Sequence, residues 1–159
     1  MKIYQIVAYD ELRAIGKEGQ IPWYNKEDLK RFRELTLGKP IIMGRKTADS
    51  LGKALPKRHN LVLSRELSYE PPEGMILCRY LEDALAKCAG YAEVYVIGGA
   101  SIYADALRIT DMVRVTLVHQ ETEGADTFYP VDLEAQGWKA VYVEPHETHT
   151  YMDYVRGEV

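Results

Sequence analysis

Short apolar runs recur along the chain, and their spacing switches between strand-like and helix-like periods. Lys2–Ala8 (KIYQIVA) is rich in β-branched and aromatic residues and predicts a strand. Asn25–Leu37 predicts a helix that Gly38 closes, with Asn25 as a natural N-cap. Pro40–Gly44 is an apolar run suited to a buried strand, and Thr47–Leu51 predicts a short helix ended by Gly52. Asn60–Ser64, Met75–Arg79, Glu93–Ile97 and Met112–His119 predict further strands. Leu81, Ala84, Leu85 and Cys88 fall at i, i+3, i+4 and i+7, a helical stripe that stops at Gly90, and Ser101–Leu107 predicts another helix. Trp138–Glu144 and Thr150–Val155 predict an antiparallel hairpin.

Strands separated by helices imply parallel pairing through right-handed crossovers, and short apolar strands imply a sheet covered on both faces. The expected fold class is therefore α/β: a single domain over residues 1–159, with a mostly parallel central sheet, flanking helices and a C-terminal antiparallel hairpin. Sheets of this kind bind ligands at the carboxyl ends of their strands. The segments that follow strands are the chemically suggestive ones: Tyr9–Trp23, Arg45–Thr47, Arg65 and Gly98–Gly99. Tyr9–Trp23 carries Gly16, Gly19 and Pro22 and is expected to be a mobile loop over a site.

Composition narrows the class. Of 159 residues, 47% are hydrophobic and 28% charged, which excludes a disordered or fibrous chain. A chain of this length removes roughly 70% of its unfolded surface from water, so its core needs no staple. Cys78 and Cys88 are too few for a disulfide framework and are expected to be reduced core thiols. No apolar run approaches membrane-spanning length, and the first meets Asp10 and Glu11 too early for a signal peptide, so a cytoplasmic protein is expected. The net charge of −4 argues against nonspecific nucleic-acid binding. Residues 39–66 nonetheless hold seven cations and two acids, an island that is either a solvated face or a pocket for a small polyanion.

Candidate chemistry begins at Asp28. It either completes a capping box with Asn25 or, because it shares a face with Phe32 and Leu35, is a carboxylate on an apolar face that must be paired or protonated and could hold a polar heterocycle or assist proton transfer. Ile41–Thr47 (IIMGRKT) runs a strand into Gly44, two cations and a helix start, an arrangement that suits phosphate. Arg65 is expected to project from the same sheet edge. Gly98 and Gly99 imply close backbone approach, by a ligand or by neighbouring chain. No metal site is expected, because His59, His119, His146 and His149 form no ligand set and His146 and His149 lack a third ligand. There is no P-loop and no G-x-S-x-G elbow.

In order, the blocks AIGKEGQIPW (14–23), EDLKRF (27–32), TLGKPIIMGRKTADS (36–50), LPKRHNLVLS (55–64), VIGGASIY (96–103) and GADTFYP (124–130) resemble the dihydrofolate reductase family. The resemblance implies NADPH-dependent reduction of 7,8-dihydrofolate to tetrahydrofolate, with hydride transfer to C6 and protonation at N5, in support of one-carbon metabolism and thymidylate synthesis. It implies that Asp28 holds the pteridine 2-amino group and N3, with Thr116 supporting that network and Trp23 and Tyr103 beside the reacting groups. Ile6, Val7, Leu29, Phe32, Leu51, Leu55 and Ile97 would wall the substrate pocket. Arg58 would grip the glutamate tail, with Lys53 nearby.

For the cofactor, the same resemblance implies nicotinamide contacts from Ala8, Ile15 and Gly16, under a lid that includes Gly19 and Gln20. Gly44, Arg45, Lys46, Thr47, Leu63, Ser64 and Arg65 would bind the pyrophosphate and 2′-phosphate, and Gly98, Gly99, Ala100, Ser101, Ile102 and Tyr103 would pack along the nicotinamide and pyrophosphate. Expected partners are dihydrofolate and antifolate inhibitors, neither nucleic acid nor membrane, with the chain a monomer.

Some positions depart from the family pattern. Ala48 stands for a bulky aromatic and implies a smaller cofactor contact, Ile21 stands for Met or Leu, and Ser101 for an arginine. Gly124-Ala125-Asp126-Thr127 carries an extra residue and implies a reshaped lid support. A pyrimidine reductase of riboflavin biosynthesis is the alternative on the same architecture, disfavoured by the P-W-x-x-x-x-D-L helix and Arg58. A noncatalytic pterin or nucleotide binder is the alternative outside enzymes.

Overall fold

The computed structural model describes residues 1–157, so the end of the expected 1–159 domain lies outside the described residues. The elements run β1 (Lys2–Asp10), β2 (Ala14–Gly16), α1 (Lys26–Thr36), β3 (Pro40–Gly44), α2 (Arg45–Leu51), β4 (His59–Leu63), β5 (Ile76–Cys78) and α3 (Leu81–Ala86). There follow β6 (Glu93–Gly98), α4 (Ala100–Ala106), a 3₁₀ turn (Leu107–Ile109), β7 (Met112–Val118), β8 (Thr127–Phe128), β9 (Trp138–Pro145) and β10 (His149–Arg156).

Eight strands form one sheet in the order β5-β4-β3-β6-β1-β7-β10-β9. The first six run parallel, and β10 and β9 close the edge antiparallel, as the alternation predicts. Side-chain alternation splits the core between the two faces. Val7, Tyr9, Ile42, Leu61, Val94 and Val96 face one way, against Leu81 and Ala84 of α3 and Tyr103 and Ala106 of α4. Ile6, Ile41, Met43, Val62 and Tyr95 face the other, against Ala48 of α2 and Phe32 and Leu35 of α1. Both cysteines are buried and free, and burial pushes the Cys88 thiol up to about 11.

Four expectations are corrected. Tyr9–Trp23 is not a free loop: β1 continues to Asp10, and β2 pairs antiparallel with β8. Strands of three and two residues are too short to show a period, and their pairing depends on contacts more than a hundred residues apart in sequence. The helix expected at Thr47 starts at Arg45, with Gly44 in the cap position. The sheet is not covered throughout, because Val141, Tyr142 and Val143 of the outermost strand β9 are exposed. Ala48 does not face a cofactor edge: it is fully buried beside Met43 and Val62, where a bulky aromatic would overfill the core.

Candidate active site

The N-terminal turn of α1 is set by Asn25, whose side-chain oxygen accepts from the Asp28 backbone N–H at 3.0 Å. A capping box would return the Asp28 carboxylate to Asn25. Instead, Asp28 Oδ1 accepts the Thr116 Oγ1 hydroxyl at 2.6 Å, 88 residues away in sequence. Thr116 is buried in β7, in register with Ala8 of β1 and Tyr151 of β10, so the central sheet delivers the hydroxyl to the helix. Burial raises the Asp28 carboxyl above its usual range. Thr116, Arg31 and His149 oppose that rise, and Glu27 adds to it. One oxygen of a partly desolvated acid is left with acceptor capacity.

Ile6, Phe32, Leu55 and Ile97 gather on the α1 side of the sheet. Leu29 of α1 and Leu51 of α2 have 50% and 38% of their surface exposed. Val7 is corrected: it points through the opposite face into the α3–α4 core, so only its backbone borders the Asp28 side. Arg58 is half-buried and donates from Nε to Thr36 Oγ1 (2.9 Å), from Nη1 to Pro56 O (2.7 Å) and from Nη2 to Arg33 O (3.2 Å). Lys53 is exposed nearby in sequence.

The question left open at Gly98–Gly99 has a geometric answer. A Cβ on Gly44 would lie 2.9 Å from Ile102 Cγ1, and one on Gly98, where φ is +125°, would lie 3.4 Å from the Tyr103 hydroxyl. Neighbouring chain therefore requires glycine at Gly44, whereas at Gly98 the positive φ requires it and the space alone would admit a Cβ. At Gly99 a Cβ would meet only Thr47 Oγ1, at 3.6 Å. Tyr103 is buried, and its hydroxyl donates to Ile6 O at 2.7 Å. Its phenol is held far above its usual range by burial, so it positions β1 and carries no exchangeable charge. Tyr129, Gln5 and Tyr103 form a buried chain behind it, with the Tyr129 hydroxyl on Gln5 Oε1 at 2.6 Å and Gln5 Nε2 on Tyr103 O at 2.9 Å.

Gly44, Leu63 and Gly98 end parallel strands on one edge of the sheet, with Arg45, Lys46, Ser64, Arg65, Ala100 and Ser101 immediately beyond. Arg45 is paired with Glu66 and lies over the Tyr69 ring at 6.0 Å. Lys46 and Arg65 are exposed and form no ion pair among the described residues. Ile15 and Gly16 are half-buried, whereas Gly19 and Gln20 are exposed in a turn closed by Lys17 and Gln20. That turn is tied down: Glu18 N–H donates to Asp126 Oδ2 at 2.8 Å, and Asp126 N–H donates to Gly16 O at 3.1 Å. The departure at Gly124–Thr127 thus still delivers a carboxylate to that turn.

Trp23 lines an open cleft of about 710 Å³ with Asn25, Glu27, Val118, Thr148 and His149, and none of the other residues expected to hold ligand lines it. The expectation that His146 and His149 lack a third ligand is corrected, because Glu27 joins them. Sequence reasoning also missed Asp10 and the proximity of His149 to Asp28. Contacts between distant segments bring His149 to Asp28 and Thr122 to Asp10, while the turn after β1 supplies the other two bonds to Asp10.

A family model described as dihydrofolate reductase matches residues 2–156. The chain belongs to the dihydrofolate reductase family. It is 40% identical over 144 residues to dihydrofolate reductase of Staphylococcus haemolyticus, covering 91% of this chain and 85% of the relative. It is 38% identical over 159 residues to the type A13 enzyme of Escherichia coli, covering 98% and 95%. Among solved structures, dihydrofolate reductase from Enterococcus faecalis, complexed with NADP(H) and RAB-propyl, superposes with a TM-score of 0.88. That match is at 32% identity and covers 99% of this chain and 97% of the other.

Proposed function

We propose that this member of the family reduces 7,8-dihydrofolate to tetrahydrofolate with NADPH. The observation that carries the reading is the half-buried Asp28 carboxylate, held by Thr116 with an acceptor oxygen free, on the side of the sheet that gathers Ile6, Phe32, Leu55 and Ile97. Exposed apolar side chains at Leu29 and Leu51 suit the rim of a cleft for a flat heterocycle.

Asp28 accepts from the pteridine 2-amino group and N3 and so fixes the ring's orientation. The Thr116 hydroxyl keeps that carboxylate in one rotamer. Burial favours the protonated acid, which helps supply a proton toward N5 through water. Arg58, anchored by three protein acceptors, offers its remaining N–H groups to the carboxylate of the glutamate tail. The residues fit the phosphorylated cofactor: Gly99 leaves room over Thr47, and Lys46 and Arg65 stand free at the strand ends. Bound NADPH supplies the hydride to C6. Ala8, Ile15 and Gly16 border the nicotinamide position, and Asp126 holds the lid turn over it.

The reading extends to a cytoplasmic monomer that folds as one domain and takes antifolate inhibitors as ligands. The eight-stranded sheet takes strands from residue 2 to residue 156, and among the described residues no helix is long and apolar enough to cross a membrane. The net charge of −4 disfavours nucleic acid. The deciding experiment follows NADPH absorbance with purified protein. Oxidation that depends on dihydrofolate supports the reading. Tight folate binding without turnover, or turnover only with a pyrimidine substrate, overturns it.

A further inference from the structure

His146 and His149 flank the turn between β9 and β10, and the turn stacks their rings with centroids 4.9 Å apart and planes within 11°. Glu27, in the first turn of α1, closes the group: Glu27 Oε1 lies 3.7 Å from His146 Nδ1, and Glu27 Oε2 lies 3.9 Å from His149 Nε2. All three donor atoms lie within 4.8 Å of one another. An independent observation points to a missing partner. His149 is 2% exposed, yet its Nε2, the atom aimed at Glu27, has no hydrogen-bond partner. A buried polar nitrogen left in that state costs free energy that a ligand would recover.

We propose that Glu27, His146 and His149 form a binding site for one zinc-class divalent ion. Two imidazoles and a carboxylate suit zinc, cobalt, nickel or copper, and not the all-oxygen cages of calcium or magnesium. Donors about 2.0–2.2 Å from a tetrahedral ion lie about 3.3 Å apart, so the cluster must contract by roughly 1.5 Å. Rotation of the exposed Glu27 side chain and the turn-borne His146 supplies that movement.

The surrounding groups prepare the ligands. Glu144 Oε2 lies 2.5 Å from His146 Nε2 and accepts its proton, which leaves the Nδ1 lone pair facing Glu27. A carboxylate behind a ligand histidine is the usual orienting arrangement. Thr148 Oγ1 lies 2.9 Å from His149 Nδ1 and is the acceptor that a metal-bearing His149 needs for its Nδ1 proton. The Asn25 Nδ2 amide, 3.0 Å from the same nitrogen, favours the opposite tautomer in the free protein. Binding therefore exchanges the His149 tautomers and displaces that amide. Glu27 and His149 both line the 710 Å³ cleft, which gives the ion an entry and a water its fourth position. Occupancy would cross-link the start of α1, one residue before Asp28, to the β9–β10 turn. This assignment is independent of the folate reading.

The test uses the full chain stripped with EDTA and titrated with Co²⁺, read by visible ligand-field absorption, and with Zn²⁺, read by calorimetry and thermal melting. The expected result is one ion per chain and a Zn²⁺-dependent rise in Tm. Binding should weaken by about tenfold or more in Glu27→Gln and in His146→Ala, and stay unchanged in the distant His59→Ala. Circular dichroism confirms that the variants fold, and neither the exposed Glu27 nor the turn residue His146 belongs to the buried core. No Zn²⁺ binding up to millimolar concentration, or affinity unaltered in both ligand variants, overturns the assignment.

Discussion

Two acids within twenty residues of each other have opposite environments. Asp10, at the end of β1, is fully buried and accepts three backbone N–H groups: Leu12 and Ala14 on Oδ1, each at 2.9 Å, and Thr122 on Oδ2 at 2.7 Å. Burial alone would raise its carboxyl, but the bonds from Thr122, Ala14 and Leu12 outweigh burial and hold it below its usual range. Asp28 is less buried, has one hydroxyl on one oxygen, and is raised. The contrast gives a criterion for function. A carboxylate whose acceptors the chain itself fills is structural, and one left partly unsatisfied in an apolar setting is placed for something the chain does not contain.

The largest expected effect tests Asp28. Asp28→Asn should slow turnover by roughly 10²–10⁴-fold at neutral pH, the span of lost acid–base assistance. It should also hold or raise Tm, because the amide keeps an acceptor for Thr116 and removes a desolvated charge. Steady-state kinetics beside a thermal melt separate the two. Near-normal turnover, or a large loss of stability, would place Asp28 with Asp10 as a structural acid.

Asp10→Ala should do the reverse. It leaves three backbone donors without their acceptor and should cost about 3 kcal/mol of stability in a denaturant titration. Any loss of kcat should be secondary, acting through Ala14 and the β2–β8 ribbon. A variant as stable as the wild type would remove the basis of the comparison.

Arg58 tests how far the criterion extends to cations. The chain fills three of its five N–H donors and leaves two. Arg58→Ala should weaken dihydrofolate binding by about 1.5–3 kcal/mol with NADPH affinity unchanged, by equilibrium titration of each ligand. Loss of NADPH affinity with dihydrofolate binding intact would reverse the two ends of the pocket.

How much of this was legible in the sequence follows the same division. The alternation of strands and helices is local, so β3 can be read to the residue from PIIMG and α1 to its caps from Asn25 and Gly38. The position of Asp28 on an apolar helix face is also local. Its partner is not, because Thr116 reaches it only through the pairing of β1 with β7. The Thr122 bond to Asp10, the β2–β8 ribbon and the meeting of Glu27 with His149 are likewise contacts between distant segments, which no window of the chain contains, whereas the Leu12 and Ala14 bonds to Asp10 are local. Gly98 and Gly99 were legible as a junction that needs glycine, but that the positive φ of Gly98 carries the need depends on how β6 turns into α4.

The smallest expected effect concerns pH and Asp10. Because the folded protein holds this carboxyl below its ordinary value, the unfolded chain binds the proton more readily. Its contribution is therefore fully present above the unfolded carboxylate value, near pH 4, and is lost as pH falls through the lower folded value. Asp10→Asn removes that titration. The stability difference between wild type and Asp10→Asn should be constant from pH 7 to about pH 5 and shrink below pH 4, measured by urea unfolding at each pH. Asp28→Asn has the opposite sign: its raised carboxyl makes the wild type relatively less stable as pH rises out of the acid range, so its difference from wild type should move in the variant's favour over that interval. Two curves that bend the same way would show that the acids share one environment, and the distinction between a structural and a ligand-facing carboxylate would fail in this protein.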